Sequence, residues 1–226
     1  MKHFVGVDLG QASDYTAISV LNAIPTVVTQ RVEDLDPDYG LPRDREVKVE
    51  GLPVSFEVNY LQRLPIGTSY PDVVSRVKEI LTRLPAGTEL IVDYTGVGRP
   101  VVDMLMQQGL NPAAVSITGG DTASRKGRFH WVPKRDLIGA LAVALQNRQL
   151  KIASVLPDAG TLVTELQNFK VKINTKTGHD SYLWDWREGQ HDDLVLSVAL
   201  AAWAANFTYD PRNQRTYWQI KDNYAI

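Results

Sequence analysis

The chain contains no cysteine. That removes disulfides, thiolate nucleophiles and Cys-based zinc sites together, and it leaves the redox compartment open. Histidine is scarce, with four in 226 residues, so a His-rich metal site has little to draw on. A tightly held cation must be sought among carboxylates. Excess charge is missing too: 24 Lys and Arg stand against 26 Asp and Glu, a formal net charge of -2. A basic protein that coats nucleic acid by charge alone is thereby excluded. Long apolar runs are also absent. Leu194 to Ala205 is 12 residues and includes Ser197, whereas a membrane span needs about 20. The apolar start is broken by Asp8, too early for a signal sequence. A cytoplasmic protein with no membrane partner is expected.

What remains is ordinary globular material, 44% hydrophobic and 22% charged. It suits one large domain over residues 1–207 with a tail at 208–226. Phe4 to Leu9 reads as a strand, followed by a polar turn to Asp14. Tyr15–Leu21 and Thr26–Val32, parted by Asn22-Ala23-Ile24-Pro25, complete a three-strand antiparallel meander. Residues 36–69, with Pro37, Pro42, Pro53 and Pro65, read as an insertion or long loop, with an extended segment at Val54–Val58. From Asp72 the period becomes helical: Val73, Val74, Val77, Ile80, Leu81 and Leu84 share a face. Then come a strand at Leu90–Asp93, a helix near Pro100–Gln108 and a strand at Ala114–Ile117. Gly119–Val132, polar and basic, reads as a loop. Pro133 opens a helix, Lys151–Ala153 is a brief strand, and a helix carrying Leu162, Leu166 and Phe169 follows. Val171–Trp186 has the pattern of a hairpin. The last helix, about His191 to Phe207, is apolar nearly all round and should be buried. The class is α/β: a mixed central sheet, meander first and parallel strands after, flanked by helices.

Three acidic features stand out. Asp8 ends the first strand, Asp93 ends Leu90-Ile91-Val92, and Asp192-Asp193 opens the buried last helix. If the two strands are neighbours, their backbones lie about 4.8 Å apart and both carboxylates meet at one sheet edge. Like charges that close raise one pKa sharply unless a cation sits between them. Each feature alone has a plain account, as a turn former or a helix N-cap. Their order points to a carboxylate site for two Mg²⁺ or Mn²⁺ ions working on a phosphodiester.

"VGVDLGQASDYTAISVL", "LIVDYTGVGRPVVDML", "SITGGD", "VPKRDLIGALAVALQ" and "HDDLVLSVALAAW", in that order, resemble the RNase H-like nuclease domain of phage large terminase subunits. The resemblance covers most of 1–207 and matches poorly at 36–69. It implies an RNase H-like fold and metal-dependent endonucleolytic cleavage of double-stranded DNA during genome packaging. It makes Asp8, Asp93 and Asp193 the metal-binding catalytic triad, with Asp14 and Asp192 as auxiliary acids. Large terminases also carry an ATPase domain with a G-x-x-x-x-G-K-[ST] phosphate loop, and no such string occurs here. The expectation is a stand-alone nuclease, or the nuclease half of a split gene or a domesticated prophage. A packaging role would then need a separate packaging ATPase or portal protein as partner.

DNA contacts are expected from two basic groups. Arg125, Lys126, Arg128, Lys134 and Arg135 lie within 11 residues, and Lys170, Lys172 and Lys176 lie on the expected hairpin. Such groups contact phosphates without reading sequence. His191 beside Asp192 is a candidate proton shuttle; His130 with Trp131 reads as a packed pair. Competing readings are a junction resolvase or RNase H acting on hybrids, a sugar-kinase or actin-like domain, and a catalytically silent DNA-binding packaging accessory.

Overall fold

A computed structural model describes residues 1–10, 14–35, 42–96, 98–168 and 192–210. The elements are β1 (Lys2–Asp8), β2 (Ala17–Leu35), β3 (Pro42–Arg63), α1 (Tyr70–Thr82), β4 (Glu89–Asp93), α2 (Gly98–Gln107) and β5 (Ala113–Thr118). They continue with β6 (Ser124–Lys126), β7 (Phe129–Pro133), α3 (Lys134–Gln146), β8 (Leu150–Ile152), α4 (Ala159–Asn168) and α5 (Asp193–Tyr209). The described strands form a single sheet of eight in the order β6-β7-β5-β4-β1-β2-β3-β8. β1, β2 and β3 are the antiparallel meander, and β4, β5 and β7 run parallel to β1 on its other side.

The meander is the expected one, with different second and third strands. Asn22-Ala23-Ile24-Pro25 does not turn; β2 runs through it, with register shifts around Pro25. The third strand lies in the segment read as an insertion. Prolines led that reading astray because they sit where a strand tolerates them. Pro42 opens β3, and Pro53 faces Pro25 at the irregularity, where the Thr26 hydroxyl donates to the Leu52 carbonyl at 3.1 Å. The loop expected at Gly119–Val132 holds the β6–β7 hairpin instead. Its signal is short: His130 buried, Trp131 out, Val132 buried. The expected hairpin at Val171–Trp186 and the tail from 211 lie outside the described residues.

Alternation along the strands assigns the two faces. On β1, Val5 and Val7 join Ile18, Leu90 and Val92 under α1 and α2. Phe4 faces the other way, joining Leu21, Phe56, Ile91 and Val115 under α3, α4 and α5. The period of two places Gly6 and Asp8 on the Phe4 face and Asp93 on the Ile91 face, which are the same side of the sheet. α5 is apolar on all sides because β1 and β2 lie beneath it and α3 and α4 flank it. Its approach to β1 depends on Gly6, where a Cβ would stand 1.9 Å from the Ser197 carbonyl oxygen. Among the described residues, no helix is long and apolar enough to cross a membrane.

Candidate metal centre

Parallel pairing fixes the first two acids. Val7 registers with Val92, so Asp8 and Asp93 are the next residues on adjacent strands, at the carboxyl end of both. They hydrogen-bond to each other. Asp93 is held from behind: its Oδ1 accepts the Thr95 N–H at 2.7 Å, and the Thr95 hydroxyl oxygen accepts the Ile117 N–H at 2.8 Å. Gly98 lets α2 start against this turn, since a Cβ there would lie 2.2 Å from the Asp93 carbonyl oxygen.

Asp14 returns to the same edge through the connection from β1 to β2. Gly10 allows the tight approach: its N–H donates to the Thr16 hydroxyl at 3.1 Å, and a Cβ on it would be 2.4 Å from Tyr15 backbone. Asp193 arrives from above as the first residue of α5 and hydrogen-bonds Asp14. Asp192 is the N-cap residue by position, yet its side chain makes no capping hydrogen bond. The capping acceptor comes from α4, where Glu165 Oε2 takes the Val195 N–H at 3.0 Å.

The electrostatics follow from this crowding. Asp8 is 7% exposed; burial, then repulsion from Asp93, Asp193, Asp192 and Asp14, raises its pKa well above the carboxylate range. Burial raises Asp93 as well, and its hydrogen bonds to Thr95 and Asp8 oppose the shift. Burial and then Asp14 push Asp193 up to about 8. The other four acids expected from the sequence are thus all within electrostatic reach of Asp8. Lys134, first residue of α3, sits there too: burial holds its ammonium at about 8, although Asp192, Asp8 and Asp93 pull it upward.

The other expected DNA contacts are placed differently. Arg135 grips Asp121, with one nitrogen 2.5 Å from Oδ1 and another 2.5 Å from the carbonyl oxygen. Lys126 and Arg128 flank the β6–β7 turn. That turn lies at the sheet edge opposite the acids, because β7 runs parallel to β5 and ends at Pro133 beside Lys134. Arg125 on β6 stacks its guanidinium 5.7 Å over Phe207, near the far end of α5. His130 packs edge-on to Trp203 and Phe207, and burial lowers its pKa to about 4. Lys170, Lys172, Lys176 and His191 lie outside the described residues.

Two residues at the centre were missed from sequence. Arg63, last in β3, pairs through Nη2 with Glu165 and with Asp193 at 3.3 Å, and its guanidinium lies 4.5 Å over the Tyr15 ring. Arg63 hid in the segment read as a loop. Glu165 was legible: a charged residue beside Leu162 and Leu166 on the apolar face of α4.

Among the described residues no three Asp, Glu or His side chains already converge into a cation cage. The carboxylates pair instead by hydrogen bonds, Asp8 with Asp93 and Asp14 with Asp193. The donor set is all oxygen, with no thiol and one ammonium. It fits Mg²⁺ or Mn²⁺, and a cation would replace the protons those pairs share.

The eight described strands in one mixed sheet, with a leading meander and the buried helix α5, have the RNase H-like fold of terminase nuclease domains. The chain is similar in structure to the large terminase nuclease from thermophilic phage G20c. The TM-score is 0.53 at 22% identity, over 92% of this chain and 82% of that one. The human cytomegalovirus terminase nuclease domain aligns at a TM-score of 0.47 and 11% identity, over 91% of this chain and 85% of that one. No family model and no curated protein matches the sequence.

Proposed function

We propose that this chain is an endonuclease that hydrolyses DNA phosphodiesters with two divalent cations, Mg²⁺ or Mn²⁺, held by Asp8, Asp93 and Asp193 with Asp14 and Asp192 beside them. The observation that carries the reading is the gathering of five carboxylates, from four places in the sequence, at one sheet edge. Each buried carboxylate in excess of its counter-charges costs several kcal/mol, and the five acids outnumber Arg63 and Lys134 beside them. Bound cations of this kind stabilise both the attacking and the leaving oxygens of an in-line displacement at phosphorus.

The chain's own residues prepare that chemistry. The β1–β4 ladder sets the spacing of Asp8 and Asp93, and the Thr95 turn fixes the orientation of Asp93. α5 brings its positive N-terminal end to the cluster, which eases the accumulation of anionic oxygens. Lys134 supplies an ammonium within electrostatic reach of the acids and would meet a scissile phosphate there. DNA packaging, with a separate ATPase or portal protein, is the setting we propose for the activity.

The test is nicking of supercoiled plasmid by the purified chain in Mn²⁺. Asp93→Asn should abolish it, since the amide removes a charge from the site while preserving shape. Cleavage by clean Asp93→Asn protein at the original rate would overturn the proposal. Competition among linear duplex, four-way junction and RNA–DNA hybrid then identifies the preferred substrate.

A further inference from the structure

The acids of the proposed centre do not hold themselves. Asp193 begins α5, and the backbone N–H groups of that first turn need acceptors from outside the helix. Asp192, at the N-cap, does not supply one through its side chain. Glu165 does, through Oε2 to Val195, and its Oε1 pairs with Arg63. The same Arg63 nitrogen lies 3.3 Å from Asp193 Oδ2. The guanidinium also stacks on Tyr15, the residue after Asp14, and the Arg63 backbone N–H donates to Asp158 Oδ2 at 3.1 Å just ahead of α4. The side chains of Arg63, Glu165 and Asp193 are only 17%, 6% and 2% exposed. Water therefore screens their attraction little.

We propose that Arg63 and Glu165 are positioning residues that clamp the start of α5 and the Asp14–Tyr15 turn into one rigid unit, setting where Asp193 presents its carboxylate. Arg63 is the hub, since it touches the Asp193 end, the Tyr15 ring and α4 at once. Its planar guanidinium suits that role; a lysine would keep the charge and lose the stack on Tyr15. Glu165 acts as the clamp on α4, one oxygen held by Arg63 and the other by Val195. The clamp stands on its own geometry; only its consequence for cation binding rests on the nuclease reading.

The experiment uses the full chain and four variants: Arg63→Gln, Arg63→Lys, Glu165→Gln and the control Arg76→Gln. Arg76 is a comparable half-buried arginine, in a network with Tyr60, Gln62 and Glu79 on α1's side of the sheet. In the metal-free protein, amide exchange at Val195 should quicken about tenfold in Arg63→Gln and Glu165→Gln. It should quicken less in Arg63→Lys and stay unchanged in Arg76→Gln, even where the control lowers the melting temperature as much. Unchanged Val195 exchange in Arg63→Gln, or equal acceleration in Arg76→Gln, overturns the proposal. If Arg63→Gln fails to fold, Arg63→Lys against Arg76→Gln decides the same question. By calorimetry with Mn²⁺ alone, Arg63→Gln should weaken binding about tenfold, and that loss should vanish in an Asp193→Asn background. An equal loss in both backgrounds overturns the link to Asp193. A wild-type chain that binds no Mn²⁺ overturns the nuclease reading, and Val195 exchange still decides the clamp.

Discussion

Protonation at the centre ties individual residues to stability. Burial raises Asp193 to about 8 and Glu165 to about 7. An acid raised in the folded state adds stability that is complete below the ordinary carboxylate range and is lost as pH climbs through the raised value. His130 has the opposite sign: lowered to about 4, it adds stability that is full above 6.5 and lost as pH falls toward 4. Lys134, lowered to about 8 from 10.5, adds stability only in the alkaline range. Between pH 6.5 and 7.5 the raised acids, Asp8 acting with the same sign, therefore dominate. The metal-free melting temperature should fall across that window, and Mn²⁺ should raise it more at 7.5 than at 6.5, because cation and proton compete for the same oxygens. A flat profile in scanning calorimetry, with or without Mn²⁺, would count against the buried acid cluster.

Among the elements, α5 decides the arrangement, and Gly6 decides how α5 lies. An alanine there would drive its methyl carbon to 1.9 Å from a backbone oxygen that cannot swing away. Gly6→Ala should cost several kcal/mol and disturb the centre one helical turn away, at the start of the same helix. Gly119→Ala, with nothing within 4 Å, should be neutral; thermal melts of the two variants make the comparison. The same helix was legible from sequence, since burial on every side explains a run apolar nearly all round and opened by two acids. β1 and β4 were legible for a related reason: short apolar runs ending in Asp. β3 was not. Its pattern is interrupted by a bulge and by prolines whose tolerance depends on pairing with β2, which is a tertiary fact. Arg63 stayed hidden with it, because its meaning comes from meeting Glu165 across 102 residues of chain.

Across the whole molecule, the sheet separates two charged regions. The acids and Lys134 share the carboxyl edge of the parallel strands, while Lys126 and Arg128 lie at the opposite edge. Replacing Lys126 and Arg128 together by Gln should leave turnover of saturating DNA unchanged. Lys134→Gln should lower it by about tenfold or more, as expected for a charge placed at the reacting phosphate. Plasmid-nicking rates at saturating DNA compare the two. Anomalous scattering from crystals soaked in Mn²⁺ is the most direct measurement of all. The account predicts two peaks about 3.5–4 Å apart, bonded to oxygens of Asp8, Asp93 and Asp193. A soaked crystal with an empty carboxyl edge, or with manganese bound only elsewhere, would contradict it.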